Sequence, residues 1–210
     1  MKNILAAVFL SVLCIGYTPN TQAQEGYEGK KLYLDLGVGL PRNVGDYYLN
    51  NYFYSVYSPD LHKYYLPTLR VNMEYGFNHF ISGGLYAGYN HSGRKGTIKE
   101  YGKEYKIRYH NSYFSVGARA TFHIWAFLNN HLDLGLGVNQ LDLYASVMTG
   151  IGVETESGKD QNLTKTTRTF RGHFGPTVGA KYYFVNNMAV FAEGGYGSSS
   201  FGVLGITFKF

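Results

Sequence analysis

A His-x-Ser pair, His110 and Ser112, is the sharpest chemical feature of this chain. A serine hydroxyl becomes a nucleophile beside a general base, and the base needs an orienting acid. Both residues share one face of an alternating stretch with Phe114 and Val116, but no acid joins them there. Glu100 and Glu104 belong to a polar loop-like stretch, and Asp133 falls at the far end of the next segment. Seven histidines, His62, His79, His91, His110, His123, His131 and His173, invite a metal reading. No two of them have ligand spacing on one face with a carboxylate nearby, so neither a metal nor another cofactor is expected. His123 and His173 are placed inside instead. Gly194-Gly195-Tyr196-Gly197 is glycine-rich but opens no helix, which argues against a phosphate-cradling loop.

The elements that must position these residues are strands. Among 210 residues there are 21 Tyr, 14 Phe and 27 Gly, but 5 Pro, 1 Trp and 16% charged residues. Such a composition suits a sheet closed on itself, and no sustained 3.6-residue apolar stripe runs through the body of the chain. Residues 1–23 read as a signal peptide: Lys2, an apolar run from Ile4 to Ile15, and Thr21-Gln22-Ala23 before the cut. Residues 24–210 then form one domain. The only cysteine, Cys14, lies in the leader behind Leu13, which disfavours a lipoprotein signal and leaves no disulfide framework. The formal charge is +5. With a secretory leader in front of it, that excess points to anionic head groups and sugar phosphates, not to nucleic acid.

Eight segments alternate with a period of two: about 31–40, 66–75, 80–90, 112–125, 131–150, 169–184, 188–196 and 201–210. The last reads FGVLGITFKF, with Leu204, Ile206, Phe208 and Phe210 on one face and Val203, Thr207 and Lys209 on the other. In the fifth, the apolar set changes phase after Asn139-Gln140, the mark of a bulge. The links hold about 25, 4, 19, 5, 18, 3 and 4 residues, so long and short ones alternate up to the last. Long links at one end and short turns at the other are the pattern of an up-and-down transmembrane barrel. Tyr75, Phe77, Phe80, Phe122, Trp125, Tyr182, Phe184, Phe208 and Phe210 gather at the short-turn end, and Tyr89, Phe114, Phe170, Tyr196 and Phe201 at the other, as two aromatic girdles.

The apolar face would meet lipid and the mixed face would line the lumen. The lumen then holds Asp35, Glu74, Asp133 and Glu193 with Arg70, Arg119, Arg171, Lys181 and Lys209. Opposite charges in similar number imply a paired plug, because unpaired buried charge is costly. A soluble eight-stranded barrel would reverse the faces; the leader, the terminal Phe and the loop asymmetry decide against it.

The closing Gly205, Phe208 and Phe210 resemble the C-terminal assembly signal of bacterial outer-membrane barrels. The whole mature chain is similar to small eight-stranded barrels of the OmpA/OmpX type and to the outer membrane protein beta-barrel domain common in Bacteroidetes. The resemblance implies an all-β antiparallel fold, outer-membrane location in a Gram-negative bacterium, assembly by the barrel-assembly machinery, and a monomer. His110-Asn111-Ser112 also resembles the His-x-Ser of lipid A deacylases, although Ile124 stands about where that family's acid would fall.

The function expected is non-enzymatic: a porin-like but plugged barrel with a structural or surface-contact role. Arg94, Lys95, Lys99, Lys103, Lys106 and Arg108 of the second long loop are candidate lipopolysaccharide contacts. The aromatic first loop, 47–65, is a candidate surface for an extracellular ligand. Two alternatives remain open, a narrow channel or conduit for small hydrophobic molecules, and an outer-membrane lipid hydrolase.

Overall fold

Alternation along the chain becomes a closed barrel of eight antiparallel strands, each paired with its sequence neighbours and the first with the last. The structure is a computed structural model, and it describes residues 26–41, 62–100, 103–130, 132, 139–160, 163–196 and 199–210. The strands are β1 Leu32–Pro41, β2 His62–Gly76, β3 Ile81–Glu100, β4 Lys103–His123, β5 Leu141–Asp160, β6 Leu163–Val185, β7 Met188–Gly195 and β8 Ser200–Lys209. The single described helix, α1, is Ile124–Asn130. No described helix is long and apolar enough to cross a membrane, which says nothing of strands. The leader, most of the first loop (42–61) and Asp133 lie outside the described residues.

Closure is made by the chain ends. Leu34 lies opposite Phe208 and Asp35 opposite Thr207. Phe210 continues the ladder, its N–H donating to the Leu32 carbonyl at 2.9 Å and its carbonyl accepting from Leu32 N–H at 3.2 Å. The faces fall as the alternation requires. On β8 Leu204 is 64% exposed while Val203 is 3%; on β6 Val178 is 63% exposed while Thr177 is 3%. Outward Leu69, Val71, Leu85, Val116 and Ile151 are exposed, and inward Asp35, Arg70, Glu74 and Arg119 are buried. A water-soluble barrel would have these two sets exchanged. Of the girdle residues, Phe208 departs from the pattern: it and its register partner Met188 are outward by alternation yet buried.

Three expectations need correction. The second and third long loops are instead paired strands, β3 with β4 as far as Glu100↔Lys103 and β5 with β6 as far as Asp160↔Leu163. Their outer halves are polar on both faces, so no hydrophobic alternation marks them as strands. The fourth link is not a short turn. It spans 124–140 and begins with α1, so Ile124 and Trp125 are helical, and β5 starts at Leu141. The register Lys95↔Arg108 then places the basic segment on paired strands.

The wall is consequently uneven. Strands β3 to β6 have 20, 21, 20 and 23 residues, about twice the 9–11 that cross a bilayer. β7, β8 and β1 have 8, 10 and 10. Pairing between β6 and β7 begins at Thr177, and between β1 and β2 it ends at Gly39↔Thr68. A five-stranded sheet, β2 to β6, thus rises on one side beyond a low rim on the other.

Candidate functional site: the lumen and an outward histidine cluster

The interior is built layer by layer from inward positions. Asp35 on β1 accepts from Lys181 Nζ at 2.9 Å, Thr207 Oγ1 at 2.7 Å and Asn72 Nδ2 at 3.2 Å. Glu193 on β7 meets Arg70 Nη2 at 2.7 Å and Arg119 Nη2 at 2.6 Å, and accepts from the Tyr144 hydroxyl at 3.1 Å. Arg119 reaches across to Glu74 through Nε at 2.9 Å and donates to Ser146 Oγ at 2.8 Å. One guanidinium therefore ties β2, β4, β5 and β7 together. Lys181 also lies over the rings of Tyr33 and Tyr144, 5.6 and 5.5 Å from their centroids.

A further chain of bonds runs from Glu74 to Ser82, His123 and Asp142. Ser82 Oγ lies 2.7 Å from Glu74 Oε2 and 3.0 Å from His123 Nε2, and His123 Nδ1 lies 2.9 Å from Asp142 Oδ2. Both carboxylates can only accept, and the serine has one proton to give. Ser82 therefore donates to Glu74, and the His123 ring bridges Ser82 and Asp142. Asp35, Glu74, Asp142 and Glu193 thus share the interior with Arg70, Arg119, Lys181 and the His123 ring.

Polar contacts cross the interior near both ends of the barrel. At the short-turn end, residues 26–31 fold across the opening. The Tyr27 ring stacks on His123 with centroids 3.4 Å apart, and its hydroxyl contacts the carbonyls of Asn78 and Ile81 at 2.9 and 2.8 Å. Burial first, then the nearby Asp142 and Glu74 carboxylates, push the Tyr27 pKa upward, which keeps that hydroxyl protonated. Lys209 pairs with Glu28 beside it. A cavity of about 170 Å³ lies outside this cap, between Tyr27, α1 and Leu141. At the other end Thr68 and Asn90 donate to the Ser199 carbonyl at 3.2 and 3.1 Å. Tyr86 crosses to His173. Its hydroxyl lies 2.8 and 2.7 Å from where a Cβ on Gly117 or Gly150 would stand, so those positions admit no side chain without repacking.

Of the predicted lumen residues, the structure buries Asp35, Arg70, Glu74, Arg119, Lys181, Glu193 and Lys209. Arg171 is on the inner side of the tall wall, bonded to Glu154 at 3.0 Å, and its side chain remains 46% exposed because no strand faces it. Asp142, Glu154 and Tyr27 are additions. Asp142 was hidden by the phase change, Glu154 by the supposed loop, and Tyr27 by its place between leader and first strand.

The histidine motif lies outside, on the tall wall. His110 and Ser112 do not bond each other. Ser112 Oγ meets His91 Nδ1 at 2.8 Å, and His110 Nδ1 meets the Tyr64 hydroxyl at 2.5 Å. The two imidazoles stack at 5.8 Å. Tyr64 lies against Gly93, where a Cβ would collide with its ring. Asn111 points to the other face, donating to Glu154 at 2.9 Å. Among the described residues no group of three metal-ligating side chains converges. Of the basic set, Lys95 and Arg108 are exposed and directly opposite each other. Arg94, Lys99, Lys103 and Lys106 share the same hairpin.

An apolar outside, a charged and paired inside, and eight closed strands define a membrane-spanning β-barrel. The chain has the fold of the small eight-stranded outer-membrane barrels. Similar structures include Ail, the attachment invasion locus protein of Yersinia pestis, at 16% identity and a TM-score of 0.46 over 88% of this chain and 100% of that one. OprG from Pseudomonas aeruginosa is similar at 8% identity and 0.49, over 90% and 99%. The N-terminal β-barrel domain of Pseudomonas aeruginosa OprF is similar at 15% and 0.42, over 88% and 100%. No protein-family model and no curated protein matches the chain. Function has to be read from the chain's own residues.

Proposed function

We propose that the protein is an integral, monomeric outer-membrane barrel with a sealed lumen, whose duties are structural or lie at its outer surface. The pairing of the lumen charges carries this reading: Glu193 holds Arg70 and Arg119, and Asp35 holds Lys181. A through-pore would have to break several buried ion pairs, each costing about 3–5 kcal/mol when one partner is lost. The tall β2–β6 sheet is the surface such a protein offers to its surroundings. A non-enzymatic role fits the outward cluster, since Glu154 and Glu156 alternate onto the inner face of β5, away from Ser112 and His91.

Single-channel recording of the folded protein in a planar bilayer tests the seal. No steps, or rare small ones, are expected. Steady, sizeable conductance would overturn the sealed reading and put transport first. One observation favours that second reading: Arg119 Nη1, Asn72 Oδ1, Ser115 Oγ and Thr177 Oγ1 are buried without a protein hydrogen-bond partner and need solvent to satisfy them.

A further inference from the structure

The outward face of the tall wall changes character row by row, and the register fixes the rows. Tyr89 opposite Phe114, with Val153 and Phe170 continuing across β5 and β6, forms the upper aromatic band. The next row outward is His91, Ser112, Thr155 and Arg168. Beyond it come Tyr64, His110 and Ser157, and then Lys95 beside Arg108. On this face no carboxylate stands in these three rows among the described residues.

We propose that this face binds the phosphate of a lipid headgroup, with His91, His110, Lys95, Arg108 and Arg168 as the cationic and hydrogen-bonding set. The inference rests on the membrane-spanning reading above. Position comes first. Two residues of strand advance about 6.6 Å, and with a tilt near 40° each row gains roughly 5 Å of height. The three rows therefore stand about 5–15 Å above the aromatic band, where headgroup phosphates lie when the rings mark the interface. Continuity comes second. The same face one row below the rings is exposed Val116 and Ile151, so an acyl chain lying there brings its headgroup to the histidines.

Charge comes third. Lys95 and Arg108 face each other directly, and like charges opposite each other destabilise a sheet unless an anion lies between them. Burial, then His91, then Arg108 hold the His110 pKa below its ordinary value. The imidazoles are also held in place. Ser112 and Tyr64 occupy their Nδ1 atoms, which fixes the rings and leaves Nε2 of each as the atom to meet a ligand. Arginine suits the partner, because its fork matches a phosphate in two bonds.

The test uses the full folded chain in phosphatidylcholine nanodiscs, with the His110 imidazole followed by NMR as pH is varied. Phosphatidic acid in the disc is expected to raise the His110 protonation midpoint by about 1 pH unit. Phosphatidylglycerol, anionic but without a terminal phosphate, should raise it less. Soluble inorganic phosphate added to plain discs should leave it nearly unchanged. In the K95A/R108A variant, whose exposed side chains lie in the hairpin away from the barrel, the phosphatidic acid effect should be lost. No shift with phosphatidic acid, or the same shift in the variant, would overturn the site. Equal shifts with phosphatidylglycerol would reduce it to general surface charge. A full shift with inorganic phosphate would make the ligand a free anion and overturn the lipid assignment. Slower gel migration of unheated than boiled samples is not required; what matters is that heating changes the mobility, as it does for an intact barrel. Failure there would strike the membrane-spanning reading and leave the headgroup question separate.

Discussion

Replacing Glu193 by Gln should be the most costly single change in the lumen. Glu193 is 6% exposed and sits between two guanidiniums at 2.7 and 2.6 Å. Arg119 would keep Glu74 at 2.9 Å and Ser146 at 2.8 Å. Arg70, 3% exposed, has Glu193 as its ion-pair partner among the described residues and would be left charged and unpaired. Gln is nearly the same size and can still accept from Tyr144, so the loss is one of charge, not of volume. Breaking a buried pair this way costs about 3–5 kcal/mol. Urea unfolding from phosphatidylcholine vesicles, followed by the fluorescence of Trp125, the only tryptophan, reads it. The R70M/E193Q pair should recover about 2 kcal/mol relative to the sum of the single changes. A loss below about 1 kcal/mol for E193Q, or strict additivity in the pair, would refute the claim that these charges hold the barrel shut.

Three other outcomes follow from the same structure. Gly117→Ala should lower stability by about 1–3 kcal/mol, or reduce folded yield, because its methyl group would meet Tyr86 and the β5 backbone; an unchanged urea midpoint would contradict the packing described. Tyr27→Ala removes the ring stacked on His123, so the bilayer recording should show new conductance steps and the unfolding free energy should fall by about 3 kcal/mol; a silent, equally stable variant would show that the cap does not seal. Because the His110 pKa is lowered in the folded protein, the unfolded chain binds more protons, and stability should fall as pH drops through about 6.5. The H110A variant should have a flatter pH profile there, and an unchanged slope would remove His110 from the cause.

The alternation of Leu204 with Val203, or Val178 with Thr177, was legible in the sequence because a strand with unlike environments on its two sides must alternate. That rule gave the strand count, the closure and most of the lumen charges. It failed where the two faces meet the same medium. Lys95, Gly96 and Thr97 are all exposed or half-exposed, so their polar run looks like loop. It failed again at Ile124 and Trp125, where the period of two runs by coincidence into the first turn of α1. The Ser112–His91 bond could not be read from either strand alone, since it depends on which residue of β3 lies opposite which residue of β4.

The seam between β1 and β8 has a consequence for how the protein is made. β3 pairs with β4 up to Glu100↔Lys103 and β5 with β6 up to Asp160↔Leu163, so each pair can zip locally, with little loop entropy to overcome. The seam joins residues such as Asp35 and Thr207, 172 positions apart. By contact order it should be the last pairing to form and the slowest. Until it does, the polar edges of β1 and β8 are both open, Asp35 lacks the Thr207 hydroxyl, and the nascent sheet is most vulnerable to pairing with another chain.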